Sequence, residues 1–279
     1  MKETIKSKVT VEECTSKKEW DAFITSFKEA NFLQSWDFYE FYQSINHQIV
    51  RRTFRRDGKI VAAYAGEVEP AKRGRHLAIA GGPILDWQDQ SLVKLVFEDM
   101  KNVAKNLQCV FVRVRPQLEY NQDSVQIFKE HNFRKAPMYL SVEYAGVLDL
   151  NKNEEEIMAN MRQRLRRALR KAEKNQITIE TSTNPEAIKE FYQIELQTAK
   201  RHSFYAFSEE FLTKQFAAFA KGKEAVLYIA KKDDEILAEN FMIFYGNEAS
   251  YHYGVSSELG TKYSGAPLLH MQAMRDARK

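Results

Sequence analysis

One part of this sequence that is suited to chemistry is a strongly basic stretch, MRQRLRRALRKAEK, from Met161 to Lys174. Seven of its fourteen residues are arginine or lysine, and one is glutamate. Because like charges four residues apart on a helix repel each other, an anionic partner would turn that repulsion into binding energy. The stretch therefore favours contact with phosphates, an RNA backbone or anionic lipid. The simpler alternative is a solvated helix face.

Helical periodicity separates the apolar from the basic positions of this stretch. We expect one helix over residues 154–175, with Asn153 as N-cap and Glu156 completing a capping box. On this helix Leu165 is predicted to be buried, so that Leu165→Asp would destabilise the domain. The predicted apolar face comprises Ile157, Met161, Leu165, Ala168, Leu169 and Ala172. The opposite face, predicted to contact tRNA or phosphate, comprises Arg166, Arg167, Arg170 and Lys174.

A second candidate region begins at TAKRHSFYAF, where Arg201 and Tyr205 lie four residues apart and would share one face of a helix. Arginine suits bidentate contact with phosphate or carboxylate, and tyrosine adds a hydroxyl and a ring. A purely structural pair is the alternative. Further on, residues 249–274 are typical of a strand, a glycine-containing loop and a helix. Main-chain N–H groups there form a natural anion site, with Lys262 inside the loop.

This loop is similar to the one by which GNAT acyltransferases bind the pyrophosphate of CoA. That loop usually packs two glycines within three residues, whereas Gly260 and Gly265 are five residues apart here. The side chains between them, Lys262, Tyr263 and Ser264, would crowd a closely approaching pyrophosphate. The sequence therefore argues against acetyl-CoA as the acyl donor.

Other signatures of catalysis and metal binding are missing from the sequence. No GxSxG, HExxH, GxxxxGK[ST] or GxGxxG motif occurs, and the six histidines show no metal-ligand spacing. Cys14 and Cys109 are far apart, which excludes a disulfide framework. The formal charge of +4 is only mildly basic, so affinity for anions must come from local patches. Since residues 1–13 lack the apolar segment of a signal peptide, we expect a cytoplasmic protein.

The elements that must position these residues follow one order twice along the chain. In each half, a hairpin, a longer strand, a glycine-containing loop and a helix succeed one another. We therefore predict an α/β fold of the α+β type, with two similar domains at 1–150 and 151–279 and mixed sheets flanked by helices. The first half contains a turn signal at Asp57-Gly58 and is predicted to close with a strand over Tyr139–Leu150.

Several collinear blocks of the sequence resemble the FemABX family, the aminoacyl-tRNA-dependent transferases that build peptidoglycan cross-bridges. They cover most of the chain. The blocks are LQSWDFYEF (33–41), APMYLSVEYAGVLDL (136–150), EEEIMANMRQRLRRALRKAEKNQITI (154–179), ELQTAKRHSFYAF (195–207) and AENFMIFYGNEASYHYGVSSELGTKYSGAPLLHMQAM (238–274).

The resemblance implies two GNAT-like domains in tandem and a reaction. An amine of a peptidoglycan precursor, either a UDP-MurNAc-peptide or its lipid-linked form, attacks the aminoacyl ester of a tRNA. Aminoacyl-tRNA is then a co-substrate. The resemblance implies no cofactor, no metal and no covalent enzyme intermediate. Catalysis would depend on positioning and on stabilising the oxyanion. The resemblance also implies that Arg201, Tyr205 and Tyr253 contact the precursor, and a peripheral contact with the inner membrane face is compatible with it.

Three departures from the family pattern affect the candidate site. Tyr42 stands where relatives often carry a lysine, and Arg115 precedes Pro116 where relatives usually have aspartate, so both are candidate substrate contacts. Relatives continue beyond the last helix into a strand with a YDFxG-like block. We therefore expect the second domain to be incomplete at its C-terminus, and the sequence names no catalytic residue. Two alternatives stay open: a GNAT-type N-acyltransferase using acyl-CoA, and a non-catalytic RNA- or anion-binding relative.

Overall fold

The computed structural model describes residues 8–72, 74–142 and 144–279, with only the main chain of His202. The chain divides into two compact units, Met1–Ala145 and Gly146–Lys279. This division falls close to the boundary predicted at residue 150. Each unit combines one sheet with helices, as the predicted α/β class requires. Within the described residues, no helix has both the length and the apolar character needed to cross a membrane.

The first unit is built on a mixed sheet with the strand order β1-β2-β3-β4-β6, and β5 pairs with β3. Strands β4 and β6 pair in parallel, while the remaining pairs are antiparallel. The predicted hairpin turn at Asp57-Gly58 is confirmed, because both residues have positive φ, 51° and 76°. The strands are β1 Val9–Glu13, β2 Gln48–Arg56, β3 Lys59–Glu69, β4 His76–Gly81, β5 Ile84–Leu85 and β6 Phe111–Pro116.

Helices of the first unit cover this sheet, and the longest of them supplies much of the core. Its apolar residues recur at helical spacing, so Val93, Val96, Phe97 and Met100 are buried with sheet residues such as Leu77. The helices are α1 Lys17–Ile24, α2 Trp36–Ser44, α3 Gln90–Asn106 and α4 Gln122–Glu130.

The strand predicted over Tyr139–Leu150 is wrong for the described residues of that range, which form no helix or strand. Side chains of β6 donate to one main-chain oxygen of this segment and to that of the residue just before it. Arg113 donates to the carbonyl of Met138 at 2.8 Å, and Arg115 donates to that of Val142 at 2.6 Å. A strand needs main-chain pairing from a neighbour, which the alternation of residue types alone does not supply.

The second unit has a four-stranded sheet with the order β10-β9-β8-β7, and all three pairs are antiparallel. Parallel pairing is thus confined, among the described strands, to the first sheet. Alternation along β9 directs Ala238 and Met242 to the face covered by the last helix, with Leu269. Phe241 points to the other face, where its ring meets that of Phe216 at 4.9 Å. The strands are β7 Thr178–Ser182, β8 Ala225–Lys232, β9 Glu235–Tyr245 and β10 Glu248–Ser256.

Six helices of the described chain accompany this second sheet: α5 Glu154–Asn160, α6 Gln163–Lys174, α7 Ile188–His202, α8 Glu209–Lys221, α9 Glu258–Tyr263 and α10 Gly265–Ala277. The predicted capping box at the start of α5 is confirmed. The Asn153 side chain accepts from the Glu156 N–H at 2.8 Å, and the Glu156 carboxylate accepts from the Asn153 N–H at 2.9 Å.

The single basic helix predicted over residues 154–175 is wrong, because the chain breaks helical geometry between α5 and α6. Met161 and Arg162 have extended ψ values of 146° and 140°. The guanidinium of Arg166 donates to the carbonyls of Met158, Ala159 and Met161, and these contacts satisfy the end of α5. The prediction that Leu165 is buried is also wrong, since 38% of this residue is exposed.

Candidate active site

A cleft of about 380 Å³ opens in the second unit where the start of α6 faces the segment joining β10 to α10. We call it the α6–α10 cleft. Arg162, the N-cap of α6, and Arg164, in its first turn, line one side. The other residues that line the cleft are Leu165, Ala168, Ser256, Gly260, Thr261, Ser264, Ala266 and Pro267.

The N-terminus of α10 lies at this cleft, with Ala266 and Pro267 of its first turn among the lining residues. Ser264 has φ 67° and does not cap α10 with its own side chain. The first N–H groups of a helix carry partial positive charge and bind phosphates and other anions. Two arginines, three hydroxyl residues and this 13-residue helix together suit a phosphate-bearing ligand.

The glycines of the joining segment serve packing against β9. A Cβ on Gly260 would lie 1.8 Å from the main-chain oxygen of Leu237, and one on Gly265 would lie 3.0 Å from the Leu237 Cβ. The contact at Gly260 requires glycine for the close approach of α9 to the sheet, and the contact at Gly265 leaves little room for a side chain on α10. The glycines therefore do not identify a pyrophosphate loop, which agrees with the five-residue spacing in the sequence.

The predicted basic face of α6 divides in the structure. Arg166 is engaged with the end of α5, whereas Arg167, Arg170 and Lys174 are exposed. Lys262 is exposed on α9, and its carbonyl accepts a hydrogen bond from Lys171 Nζ at 2.7 Å.

Sequence reasoning did not select Arg162 and Arg164 as site residues. Their orientation follows from the break at Met161–Arg162, and neither proline nor glycine marks that break. Only the clustering of arginines at the start of the basic stretch could have drawn attention to them.

The ends of α7 and β10 bring two of the predicted precursor contacts to one junction. Arg201 Nη2 donates to the carbonyl of Ser256 at 2.9 Å and to Thr198 Oγ1 at 3.2 Å. Tyr253 is half-buried on β10. The prediction that Tyr205 shares a helix face with Arg201 is wrong, because α7 ends at His202 and Ser203 takes the left-handed conformation with φ 55°. Tyr205 lies after the helix and is fully exposed.

Buried carboxyl groups lie close to this junction. Glu195 of α7 is buried, and its Oε2 has no hydrogen-bond partner within the described part of the chain. Burial raises the pKa of Glu195. The pKa of Tyr253 is raised by burial and then by the charge of Glu195, so this hydroxyl stays protonated near neutral pH. A carboxylate that accepts a proton beside a hydroxyl that donates a hydrogen bond suits acid–base work in acyl transfer.

A second buried carboxyl, that of Glu239 on β9, is deeper in the same unit. It is fully buried, and neither oxygen has a hydrogen-bond partner among the described residues. Burial, followed by the charge of Glu190, raises its pKa to about 8. His252 is also affected by burial, which lowers its pKa to about 3, and its Nε2 lies 3.0 Å from Gln215 Oε1.

The two candidate contacts in the first unit have partners inside that unit. The Tyr42 hydroxyl hydrogen-bonds the carboxyl of Glu67, which also pairs with His47 Nδ1. Burial raises the pKa of Glu67 to about 7, and the His47 hydrogen bond opposes that increase. Arg115 is half-buried against the carbonyl of Val142, and burial lowers its pKa.

The described part of the chain contains no evident metal site. Among residues 8–72, 74–142 and 144–279, no three His, Cys, Asp or Glu side chains form a group that could hold a metal ion. That the reaction needs neither a metal nor a cofactor stays a prediction.

Comparison with known proteins finds a family match in each half of the chain and a solved structure that is similar over both halves. Residues 159–279 match the acetyltransferase (GNAT) domain, and residues 15–136 match the FemAB family. The crystal structure of FemX superposes with a TM-score of 0.82 at 18% identity, covering 96% of this chain and 86% of that one. The fold is therefore the tandem GNAT-like α/β fold that was predicted. These matches also confirm the recognition of the chain as a FemABX relative.

The curated relatives that this chain matches are longer than the chain itself. The lipid II:glycine glycyltransferase of Staphylococcus aureus is 22% identical over 226 residues, which are 77% of this chain and 53% of that protein. The same enzyme from the bovine strain RF122 is 23% identical over the same coverage. The chain thus spans about half the length of the curated relatives it matches.

Proposed function

We propose that this protein is an aminoacyltransferase that moves an amino acid from aminoacyl-tRNA to an amine of a peptidoglycan precursor, in cell-wall bridge formation. The observation that carries the proposal is the α6–α10 cleft, where Arg162, Arg164 and the start of α10 meet within the GNAT-matched segment. The FemAB match and the relatives named lipid II:glycine glycyltransferase support the choice of reaction.

We propose that the donor substrate, aminoacyl-tRNA, places the phosphates near its aminoacylated end in the α6–α10 cleft. Arginine side chains and helix N-termini both bind nucleic-acid phosphates. The exposed cations Arg167, Arg170 and Lys174 continue along α6 and extend the positive surface toward the rest of the tRNA. The spacing of Gly260 and Gly265 argues against the alternative donor, acyl-CoA.

The reaction moves one proton from the amine nitrogen to the leaving oxygen while one bond forms and another breaks. The amine nitrogen bonds to the ester carbonyl carbon, and the bond between that carbon and the ribose oxygen breaks. The nitrogen loses a proton to Glu195, the proposed acceptor, and the protonated Glu195 then returns that proton to the departing ribose oxygen. The Tyr253 hydroxyl, kept protonated, donates a hydrogen bond to the oxygen on which negative charge develops.

Ser256 connects the donor cleft to the proposed acceptor side. It lines the α6–α10 cleft, and its carbonyl accepts the hydrogen bond of Arg201. We assign the acceptor's anionic groups to Arg201, with the exposed Tyr205 ring as a further contact. Tyr42 and Arg115 in the first unit stay predicted contacts. A cytoplasmic location, where charged tRNA is available, also stays a prediction.

Transfer is tested by incubating the purified chain with a mixture of charged tRNAs and either UDP-MurNAc-peptide or its lipid-linked form. Mass spectrometry should find the precursor heavier by one aminoacyl residue. Glu195→Gln should lower kcat at least about 100-fold, which is the lower end of the contribution of a general base. It should also remove one limb of the pH–rate profile, which a purely structural role would leave in place.

Two outcomes would favour the alternatives. A thermal shift with CoA, together with transfer from acyl-CoA and none from tRNA, would identify an acyl-CoA enzyme. Tight tRNA binding with no transfer to any acceptor would identify a non-catalytic RNA-binding relative.

A further inference from the structure

We propose that the first unit binds phosphate-bearing lipid headgroups of an anionic membrane surface in a second cleft, lined by α3, β6 and the segment 132–138. This cleft has a volume of about 830 Å³. We call it the α3–β6 cleft. Its ligand is an amphiphile, because basic side chains surround a floor that is largely apolar. Such binding is independent of the acyl transfer proposed above.

The floor of the α3–β6 cleft is apolar and reaches the surface. Val110 is 68% exposed and Met138 is 61% exposed at its edge. The apolar residues that line the cleft include Ala104, Val110, Phe111, Val112, Phe133 and Met138. Beyond the cleft, the chain carries three more exposed apolar or aromatic side chains, Tyr139, Val142 and Tyr144. Aromatic and aliphatic groups beside lysine and arginine are typical of surfaces that lie in a membrane interface.

Basic residues predominate around this floor. Four of them, Lys72, Lys105, Arg134 and Lys135, are exposed and form no ion pair with a described residue. The one acidic side chain among the described lining residues, Glu69, lies 3.2 Å from His76 Nε2. Among the described residues, the basic side chains that line the cleft besides His76 are Lys72, Lys101, Lys105, Arg113, Arg134 and Lys135. Clusters of this size attract anionic lipid surfaces.

The walls of the cleft are held in place by packing. The buried His76 ring stacks on Phe111 with centroids 4.6 Å apart and planes 19° apart. Gly74 has φ 116°, and a Cβ there would lie 2.5 Å from Val110 Cγ2, so the turn before β4 passes directly against Val110. The Val110 N–H donates to the Arg75 carbonyl at 2.9 Å. The apolar wall is therefore in place before any ligand arrives.

Lipid is favoured over RNA because a neighbouring side chain already covers one face of both Phe111 and Phe133 in the cleft. Single-stranded RNA gains much of its affinity by stacking bases on exposed aromatic rings. Here His76 stacks on Phe111, and Lys101 Nζ lies 5.2 Å from the centre of the Phe133 ring. Aliphatic Val110 and Met138 provide the accessible floor instead, and they suit an acyl chain.

Vesicle sedimentation tests the proposal, with phosphatidylcholine vesicles that contain or lack phosphatidylglycerol. The wild-type chain should bind the phosphatidylglycerol vesicles. The triple variant Lys105→Gln, Arg134→Gln, Lys135→Gln should lose at least about tenfold in partition coefficient, since each basic residue near the surface contributes. A matched control carries Lys18→Gln, Lys28→Gln and Lys59→Gln in the same unit, all at exposed positions, and should bind as wild type does.

A second variant separates lipid from other phosphate ligands. Val110→Ser with Met138→Ser keeps the charge and should weaken vesicle binding, while binding of a short single-stranded RNA should not change. Thermal unfolding checks that each variant is folded. The proposal is overturned if the triple variant binds vesicles as the control does, or if it loses RNA binding with vesicle binding intact. Absence of binding by the wild-type chain would also overturn it.

Discussion

The guanidinium of Arg201 donates a hydrogen bond to the main-chain oxygen of Ser256 at 2.9 Å, and this contact joins the end of α7 to the end of β10. Because Ser256 also lines the α6–α10 cleft, Arg201 holds one wall of that cleft. We expect Arg201→Ala to lower kcat/KM for transfer by about 10- to 100-fold, the range expected for a lost charged hydrogen bond.

Arg201→Lys is the informative comparison for this position. Lysine keeps the charge but lacks the planar fork of arginine, so it should recover only part of the loss. Steady-state kinetics with the precursor as varied substrate measure both variants. Equal kcat/KM for wild type and Arg201→Ala would exclude Arg201 from the site.

Arg166 and Arg167 are adjacent in the sequence but should differ in their effect on stability. Arg166 donates to three carbonyls at the end of α5, whereas Arg167 is exposed. Arg166→Gln should lower the free energy of unfolding by about 1–2 kcal/mol, because it leaves these carbonyls without their donor. Arg167→Gln should change it by less than about 0.5 kcal/mol. Urea titration of both variants gives the comparison, and equal midpoints would show that Arg166 does not stabilise the break.

Leu165 and Leu169, one turn apart on α6, should differ in their effect on stability, because Leu165 lines the α6–α10 cleft and Leu169 is buried. Leu169 is 3% exposed, so Leu169→Ala should cost about 2–5 kcal/mol of unfolding free energy. Leu165 is 38% exposed and lines the α6–α10 cleft. Leu165→Asp should therefore cost much less than Leu169→Ala, but it should weaken tRNA binding by placing a negative charge among phosphates.

Filter binding with charged tRNA measures the effect of Leu165→Asp, and Leu165→Asn provides the uncharged control. If Leu165→Asp unfolds the protein as readily as Leu169→Ala does, the assignment of Leu165 to the cleft is incorrect.

Glu239 should make the protein less stable as pH rises. Its pKa is raised from the ordinary 4.5 to about 8, so the folded state binds the proton more tightly than the unfolded state does. Stability contributed by this proton is fully present below pH 4.5 and is lost as pH rises toward 8. Glu239→Gln should therefore unfold at a higher temperature than wild type at pH 8.

At pH 5 the wild-type carboxyl is already protonated, so the two proteins should unfold at similar temperatures. Calorimetry at both pH values gives the difference, and comparison with the variant cancels the contribution of other groups such as Glu67. The same difference at pH 5 and pH 8 would contradict a raised pKa for Glu239.

Local features of the fold were predictable because they depend on neighbouring residues. The Asp57-Gly58 turn and the capping box of Asn153 and Glu156 each involve four residues or fewer. The break at Met161–Arg162 was not predictable in this way, because the Arg166 side chain that reaches back to the end of α5 lies within a pattern that equally suits a continuous helix.

Non-local features account for the other differences. The segment predicted as a strand over Tyr139–Leu150 has the right alternation, but the main-chain oxygen of Val142 accepts from the Arg115 side chain instead of a neighbouring strand. The α3–β6 cleft depends on the parallel pairing of β4 with β6, which places distant segments side by side. Sequence periodicity contains no information on such pairing.

The rate of aminoacyl transfer from charged tRNA to the precursor tests the central claim most directly, when wild type is compared with Arg162→Gln, Arg164→Gln. A control variant, Lys221→Gln, Lys223→Gln, removes the same charge from exposed positions of the same unit. If the α6–α10 cleft is the donor site, wild type and control should both carry out transfer. The double arginine variant should then lose at least about tenfold in kcat/KM for charged tRNA. Undiminished transfer by that variant, or transfer from acyl-CoA in place of charged tRNA, would contradict it.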